Sequence, residues 1–123
     1  ELDFQIRTLK RLIKAEGRIV IASPNFRSYD AKFFSKFWAA YDVPRHLWHF
    51  SKKSISSLFQ KHGMVVESIH PMWLDSFYIS LLSTRNKYGR YKILQAFLVG
   101  LISNIKAIFS GQFSSLIFVI RTK

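Results

Sequence analysis

The chain has 123 residues, enough for one domain and too few for two. Hydrophobic residues supply 49% of it and aromatics 16%, which excludes an intrinsically disordered chain. A formal charge of +12 draws polyanions and anionic lipid heads, and the absence of cysteine excludes a disulfide scaffold, a cysteine-ligated zinc site and a cysteine nucleophile.

No secretory signal is visible. The longest nearly unbroken apolar run, Ile93–Ile102, is shorter than the ~20 residues of a transmembrane helix. Leu2, Ile6, Leu9 and Ile13 recur at helical spacing and predict an amphipathic helix at the start of the chain. Lys10, Arg11 and Lys14 stand where cations complement the carbonyl end of its dipole, and Gly17 is expected as the left-handed residue that closes it. Arg18–Ser23 carries Ile19, Val20, Ile21 and Ala22 without alternation, the pattern of a strand covered on both faces. Pro24 and Asn25 end it. Ligands of open α/β sheets bind at the carboxyl ends of strands, so the Ser23-Pro24-Asn25 loop is expected to face a site; the alternative is a plain turn.

Ser28–Trp38 is expected as a helix whose Phe33, Phe34, Phe37 and Trp38 suit a core or a pocket lid. Ala39–Phe50 shows neither helical nor strand period, yet it holds Asp42, Arg45, His46, Trp48 and His49. Such a loop on a rigid scaffold is the natural carrier of function. Ser51 is expected to cap a helix with Ile55, Leu58, Phe59 and His62 on one face and Gly63 as its stop. Met64–His70 predicts a second strand, closed by Pro71. Helix is expected over Asp75–Thr84, a basic link broken at Gly89 over Arg85–Lys92, and helix again over Ala96–Phe109. After a turn at Ser110-Gly111-Gln112, Leu116–Ile120 predicts a third strand, apolar enough to lie between the other two.

The chemistry on offer is limited. Neither GxGxxG nor GxxxxGK[ST] occurs. His46 and His49 stand three apart, a weak metal spacing that no carboxylate triad accompanies. Either histidine could act as a general base near neutral pH, with Asp42 orienting the imidazole and Arg45 binding a carboxylate or phosphate. The plainer alternative pairs Asp42 with Arg45 and leaves the histidines satisfying loop carbonyls.

Three stretches in order resemble the C-terminal half of class I S-adenosylmethionine-dependent methyltransferases, most closely the ubiquinone-biosynthesis-like and related bacterial branch. Leu9–Asn25 is similar to the family's helix and fifth strand, of the form L…LKPGGxLxIxTPN, with Ala15-Glu16-Gly17 where Pro-Gly-Gly is common. Trp38 followed by Asp42-Val43-Pro44-Arg45-His46-Leu47-Trp48-His49-Phe50-Ser51 is similar to its W…DxPRHLxHFS loop. Ser54, Leu58 and Gly63-Met64-Val65-Val66 resemble its SLxxLLxxxGFxV helix and sixth strand.

The resemblance implies an α/β, partial Rossmann-like methyltransferase fold. Its three-stranded mixed sheet would run in the order 5-7-6, the last strand antiparallel and central, with flanking helices. Residues 1–123 would form the C-terminal portion of the domain, and 85–112 a basic and apolar helical insertion before the last strand. The family's glycine-rich turn and acidic strand end precede the matched region, so the native protein is expected to be longer, to bind S-adenosylmethionine when complete, and to bind it weakly or not at all through this chain alone. His46 and His49 would handle protons and Asp42 would orient them. Arg45 would anchor a small-molecule or lipid-like substrate, with Trp38, Trp48, Tyr78 and Asn25 around it. The implied location is cytoplasmic.

Two further expectations concern surfaces. The 18–23 strand would expose an edge for self-association or a partner polypeptide. Arg85, Lys87, Arg90 and Lys92, leading into an apolar helix, suit peripheral contact with an anionic membrane or a helix capping a lipid-like substrate; the alternative is an ordinary core-packing helix. Competing functions are a non-catalytic remnant and a basic interaction module. Nucleic acid is not expected, because the cations are spread along the chain and no binding motif accompanies them.

Overall fold

In the computed structural model, which describes residues 1–123, helix α1 (Leu2–Leu12) leads into strand β1 (Ile19–Pro24). The helix stops earlier than its apolar period suggests. Ile13 is already extended, and Gly17 does not take the left-handed conformation expected of it. Its amide instead closes a tight turn onto the Lys14 carbonyl at 2.8 Å. A Cβ there would lie 2.7 Å from Ile13 Cγ1, so glycine is required by crowding and not by φ.

Ser28 caps α2 (Tyr29–Phe34) by accepting the Ala31 amide hydrogen. The helix expected to reach Trp38 ends at Phe34, and 3₁₀ turns at Ser35–Phe37 and Ala39–Tyr41 replace its second half. Helix α3 (Lys52–Lys61) begins as expected at Ser51, whose hydroxyl accepts from the Ser54 amide while Ser54 Oγ accepts from the Ser51 amide. Gly63, at φ +72°, turns the chain into β2 (Met64–Pro71).

Helix α4 (Asp75–Tyr88) continues through the expected polar link, and Gly89 ends it in the left-handed conformation. Helix α5 (Ile93–Ser110) starts three residues before Ala96 and runs 18 residues at a mean hydropathy of 1.7. It is therefore long and apolar enough to cross a membrane, unlike the ten-residue run visible in the sequence. Gly111 stops it, and β3 (Ser115–Thr122) follows.

The sheet order is β1-β3-β2. Both ladders are antiparallel: Ile19 pairs with Ile120 on one side of β3, and Val66 pairs with Ile120 on the other. The last strand is central, as expected. The sheet is not mixed, because β1 and β2 run the same way but never touch. A bulge at Glu67 shifts the register of β2, and the carboxylate meets the Arg18 guanidinium, with Nη2 3.1 Å from Oε1. That hydrogen bonding holds Glu67 below its ordinary value of 4.5.

Leu116, Phe118 and Ile120 share a core with Ile6 of α1 and Ile55 and Phe59 of α3. The other face of the sheet is open: Val20 is 65% exposed and Val119 half-buried. The expectation of a β1 covered on both faces therefore fails, because all the helix cover lies on one side. A second cluster joins Phe34, Trp38 and Ala40 to Ile79 of α4 and Val99 of α5. The result is a small α/β domain of generic Rossmann-like arrangement, a three-stranded antiparallel sheet flanked by helices.

Candidate functional site

Strands β1 and β2 end on the same side of the sheet, where β3 begins. A cleft of about 510 Å³ opens there. Its floor is Ala22–Pro24 from the end of β1 and Ser115 from the start of β3; α4 supplies Asp75, Tyr78 and Leu82, and the 39–46 loop closes it with Asp42, Arg45 and His46.

The loop is held in place by α4. The Ala39 amide donates to Ser83 Oγ at 2.8 Å, and Asn86 Nδ2 donates to the Phe37 carbonyl at 3.3 Å. Trp38 stacks edge-on against Tyr41 at 5.0 Å, and Tyr41 against His49 at 5.0 Å. Asp42 takes a left-handed conformation, φ +42°, which Asp tolerates better than most residues, and the following Val43–Pro44 peptide is cis. The loop then rejoins the sheet by a parallel bridge between Phe50 and Asn25.

Within the cleft, Arg45 Nε lies 3.1 Å from Asp42 Oδ1, an exposed ion pair. His46 Nδ1 lies 3.1 Å from the Ala40 carbonyl oxygen, and its Nε2 lies 3.9 Å from Asp42 Oδ2. A carbonyl only accepts, so this contact assigns the hydrogen of the neutral ring to Nδ1 and leaves Nε2 with its lone pair free. The Ser115 hydroxyl is buried, has no hydrogen-bond partner and lines the same cleft. Its oxygen is closed off from solvent, and nothing in its strand sequence marks it out.

Four of the eight residues singled out from sequence meet here: Asp42, Arg45, His46 and Tyr78. The rest do not. Trp38 is buried beneath the loop, where its indole Nε1 donates to Asp30. Trp48 and His49 lie on the far side of His46. Asn25 is 1% exposed; its Nδ2 donates to the Phe113 carbonyl and Gln112 Oε1, and its Oδ1 accepts from the Arg27 amide. It ties β1 to the entry of β3 and presents no free polar atom to a ligand.

Sequence reasoning passed over Asp30. This carboxylate has no solvent exposure, and it accepts hydrogen bonds from Trp38 Nε1 at 2.8 Å, Ser103 Oγ at 2.8 Å and Ser114 Oγ at 2.7 Å. It thereby links α2, α5 and the entry to β3 beneath the loop. A lone Asp in an aromatic helix carries no signal of this; its partners lie 8, 73 and 84 residues away.

No protein-family model matches the chain, and no curated protein does so either.

Proposed function

We propose that this chain is the acceptor-binding half of an S-adenosylmethionine-dependent methyltransferase domain. The observation that carries the reading is positional. The Asp42–Ser51 loop, whose residues resemble the family's motif, overhangs the carboxyl end of a strand in a sheet ordered β1-β3-β2 with a reversed central strand. That is the order the resemblance implies for the closing side of the fold.

The residues present do not fit the cofactor. A nucleotide-type cradle needs glycine where a strand turns into a helix. Gly63, Gly89 and Gly111 each end a helix, Gly17 sits in a helix-to-strand turn, and Gly100 packs inside α5 against Phe77. No step is therefore derived through the methyl donor.

What the chain's own side chains supply concerns the acceptor. His46 Nε2, 3.9 Å from Asp42 Oδ2, is placed to take a proton from an acceptor hydroxyl or amine. Arg45, largely exposed, can turn from Asp42 to an anionic group of the acceptor. Tyr78 and Leu82 give the cleft an apolar wall.

Titration calorimetry tests the division of labour. The isolated chain should show no 1:1 micromolar complex with S-adenosylmethionine, and the protein expressed from its full coding sequence should show one. A micromolar complex with the isolated chain, or none with the full-length protein, overturns the reading.

A further inference from the structure

Helix α5 is built inside out for a helix facing water. Its buried side is small or polar: Ala96, Gly100, Ser103, Asn104 and Ala107, with Val99. These pack on α4 and α2, and Gly100 lets the helices approach until a Cβ would stand 2.7 Å from Phe77 Cδ1. The large apolar side chains point away from the protein. Ile93, Leu94, Leu98, Ile105, Ile108 and Phe109 are all exposed, Leu94 at 72% and Phe109 at 88%. The helix's one charge is Lys106, whose ammonium sits 4.6 Å from the centre of the Tyr29 ring. Water gives no reason to hold such a face outward, and scattered surface apolar residues do not form a face of this length.

The charges around it are not balanced. Between Asp75 and Ser110 the chain has five cations, Arg85, Lys87, Arg90, Lys92 and Lys106, and one carboxylate, Asp75, which belongs to the cleft. Four of the cations crowd the α4–α5 turn beside Tyr88 and Tyr91. Lys92 Nζ lies 3.8 Å from the Tyr88 ring centre, and the Arg85 guanidinium 5.6 Å from that of Tyr91. Amphipathic aromatics beside cations at the end of an apolar surface are the composition of a membrane interface.

We propose that the outward face of α5 docks on a bilayer containing anionic lipid, with the basic α4–α5 turn at the phosphate level. The helix lies along the surface and does not cross. Its inner side carries Ser103 and Asn104 and packs on α2 and α4, and β3, the centre of the sheet, begins at Ser115 only five residues beyond its end. Crossing would pull the core apart. A second copy of the chain would be repelled by the same basic turn, whereas anionic headgroups are complementary to it. The proposal stands apart from the reading of the cleft, since it needs neither a methyl donor nor an acceptor.

Vesicle flotation of the whole chain tests it, with phosphatidylcholine vesicles compared with phosphatidylcholine mixed with phosphatidylglycerol. The chain should float with the mixed vesicles and weakly with the neutral ones. Leu94→Glu with Phe109→Glu should lower binding by at least about tenfold with an unchanged circular dichroism spectrum, because neither side chain is buried. Lys87→Gln and Arg90→Gln should each cost about fivefold. If the double Glu variant loses its helical signal, Leu94→Ser with Phe109→Ser gives the same readout without new charge. Flotation that ignores lipid charge, or that survives loss of both apolar side chains, overturns the proposal. So does a lipid-free dimer in sedimentation equilibrium that Leu94→Glu with Phe109→Glu returns to monomer, for then a second copy covers the face.

Discussion

Replacing Asp30 separates two accounts of the buried carboxylate beneath the loop. Oδ2 accepts from both Trp38 Nε1 and Ser114 Oγ, and Oδ1 accepts from Ser103 Oγ. Asp30→Ala removes both acceptor oxygens and with them all three hydrogen bonds. The Ser103 hydroxyl can rotate to a carbonyl one turn back in α5, so its loss is small. The indole N–H of Trp38 is fixed, 2% exposed and without a substitute, which costs roughly 1–3 kcal/mol, and Ser114 with the vacated space adds about 1–2. The sum is about 3 kcal/mol. At about 2.1 cal/mol/K per residue, a 123-residue chain unfolds with an entropy near 0.26 kcal/mol/K, so the midpoint should fall by roughly 10–15 °C. Asp30→Asn behaves differently. With its oxygen at the Oδ2 position it keeps Trp38 and Ser114, and Ser103 reverses to accept from the new amide. The buried charge also disappears, so the midpoint should stay within about 3 °C of the parent. Thermal unfolding followed by circular dichroism reads both. If Asp30→Asn melts as low as Asp30→Ala, the negative charge itself holds the cluster and the hydrogen-bond argument is refuted.

Three more substitutions test the packing and the surface. Glu67 is held below 4.5 by the Arg18 hydrogen bonds, and Asp3 below 3.8 by its hydrogen bonds to His62 and Lys61. A depressed folded value stabilises above the unfolded value and is lost as pH falls through the folded one, so stability measured in urea should decline below about pH 4.5, less steeply in Glu67→Gln; an identical acid slope in the variant refutes the Arg18 pairing. Gly100→Ala should lower the midpoint by several degrees, because pressing a Cβ against Phe77, with backbone atoms at 3.1 Å, costs about 1–3 kcal/mol and outweighs the helix-propensity gain of roughly 1. A rise in midpoint would show that α4 and α5 are not this close. Ser51→Ala removes the hydroxyl that accepts from the Ser54 amide, leaves the Ser51 amide donating to Ser54 Oγ, and should cost about 1 kcal/mol, near 4 °C; no change would mean that the start of α3 does not depend on the Ser51 hydroxyl.

What the sequence discloses divides by the range of the interaction. Ser51, Gly63 and Gly111 act within one turn of chain, and their neighbours state their roles: a hydroxyl before an apolar period, a glycine after one. The position of β3 is also legible, because Leu116–Ile120 is apolar without a break, a run that suits a central strand. Gly17 misleads because the same residue serves both a left-handed cap and a crowded turn. β1 misleads because a continuous apolar run describes what could cover a strand, not what does: Val20 lies on the face this chain leaves bare. In the cleft, Asp42, Arg45 and His46 fall together because five consecutive residues of one loop carry them. Trp38 stands four residues before Asp42 and Asn25 seventeen, yet their polar atoms are taken up by Asp30, eight residues from Trp38, and by Phe113, 88 residues from Asn25.

The hardest choice concerns α5, which the sequence leaves as either a membrane-contacting or a core-packing helix. Phe97, Leu98, Leu101, Ile102, Ile105 and Phe109 recur at helical spacing, and the usual inference is that such a face turns to the core. Periodicity reports only that two sides of a helix differ. Which side is inward follows from the medium, and the inference silently assumes water on the polar side. In α5 the other side holds glycine, alanine, serine and asparagine, residues that let helices approach closely. Both sides are thus suited to burial, the small one against protein and the large one against something else. The fold has used the small side, leaving Leu94, beside the basic turn, and Phe109, at the other end of the helix, outermost. A protein that carries such a face stays dispersed in water only while the face has cover. Removing anionic lipid should therefore lower the chain's solubility before it lowers its helix content, and light scattering with circular dichroism on the same sample separates the two. If helix content is lost first, the α4–α5 packing and not the outer face is the weak point.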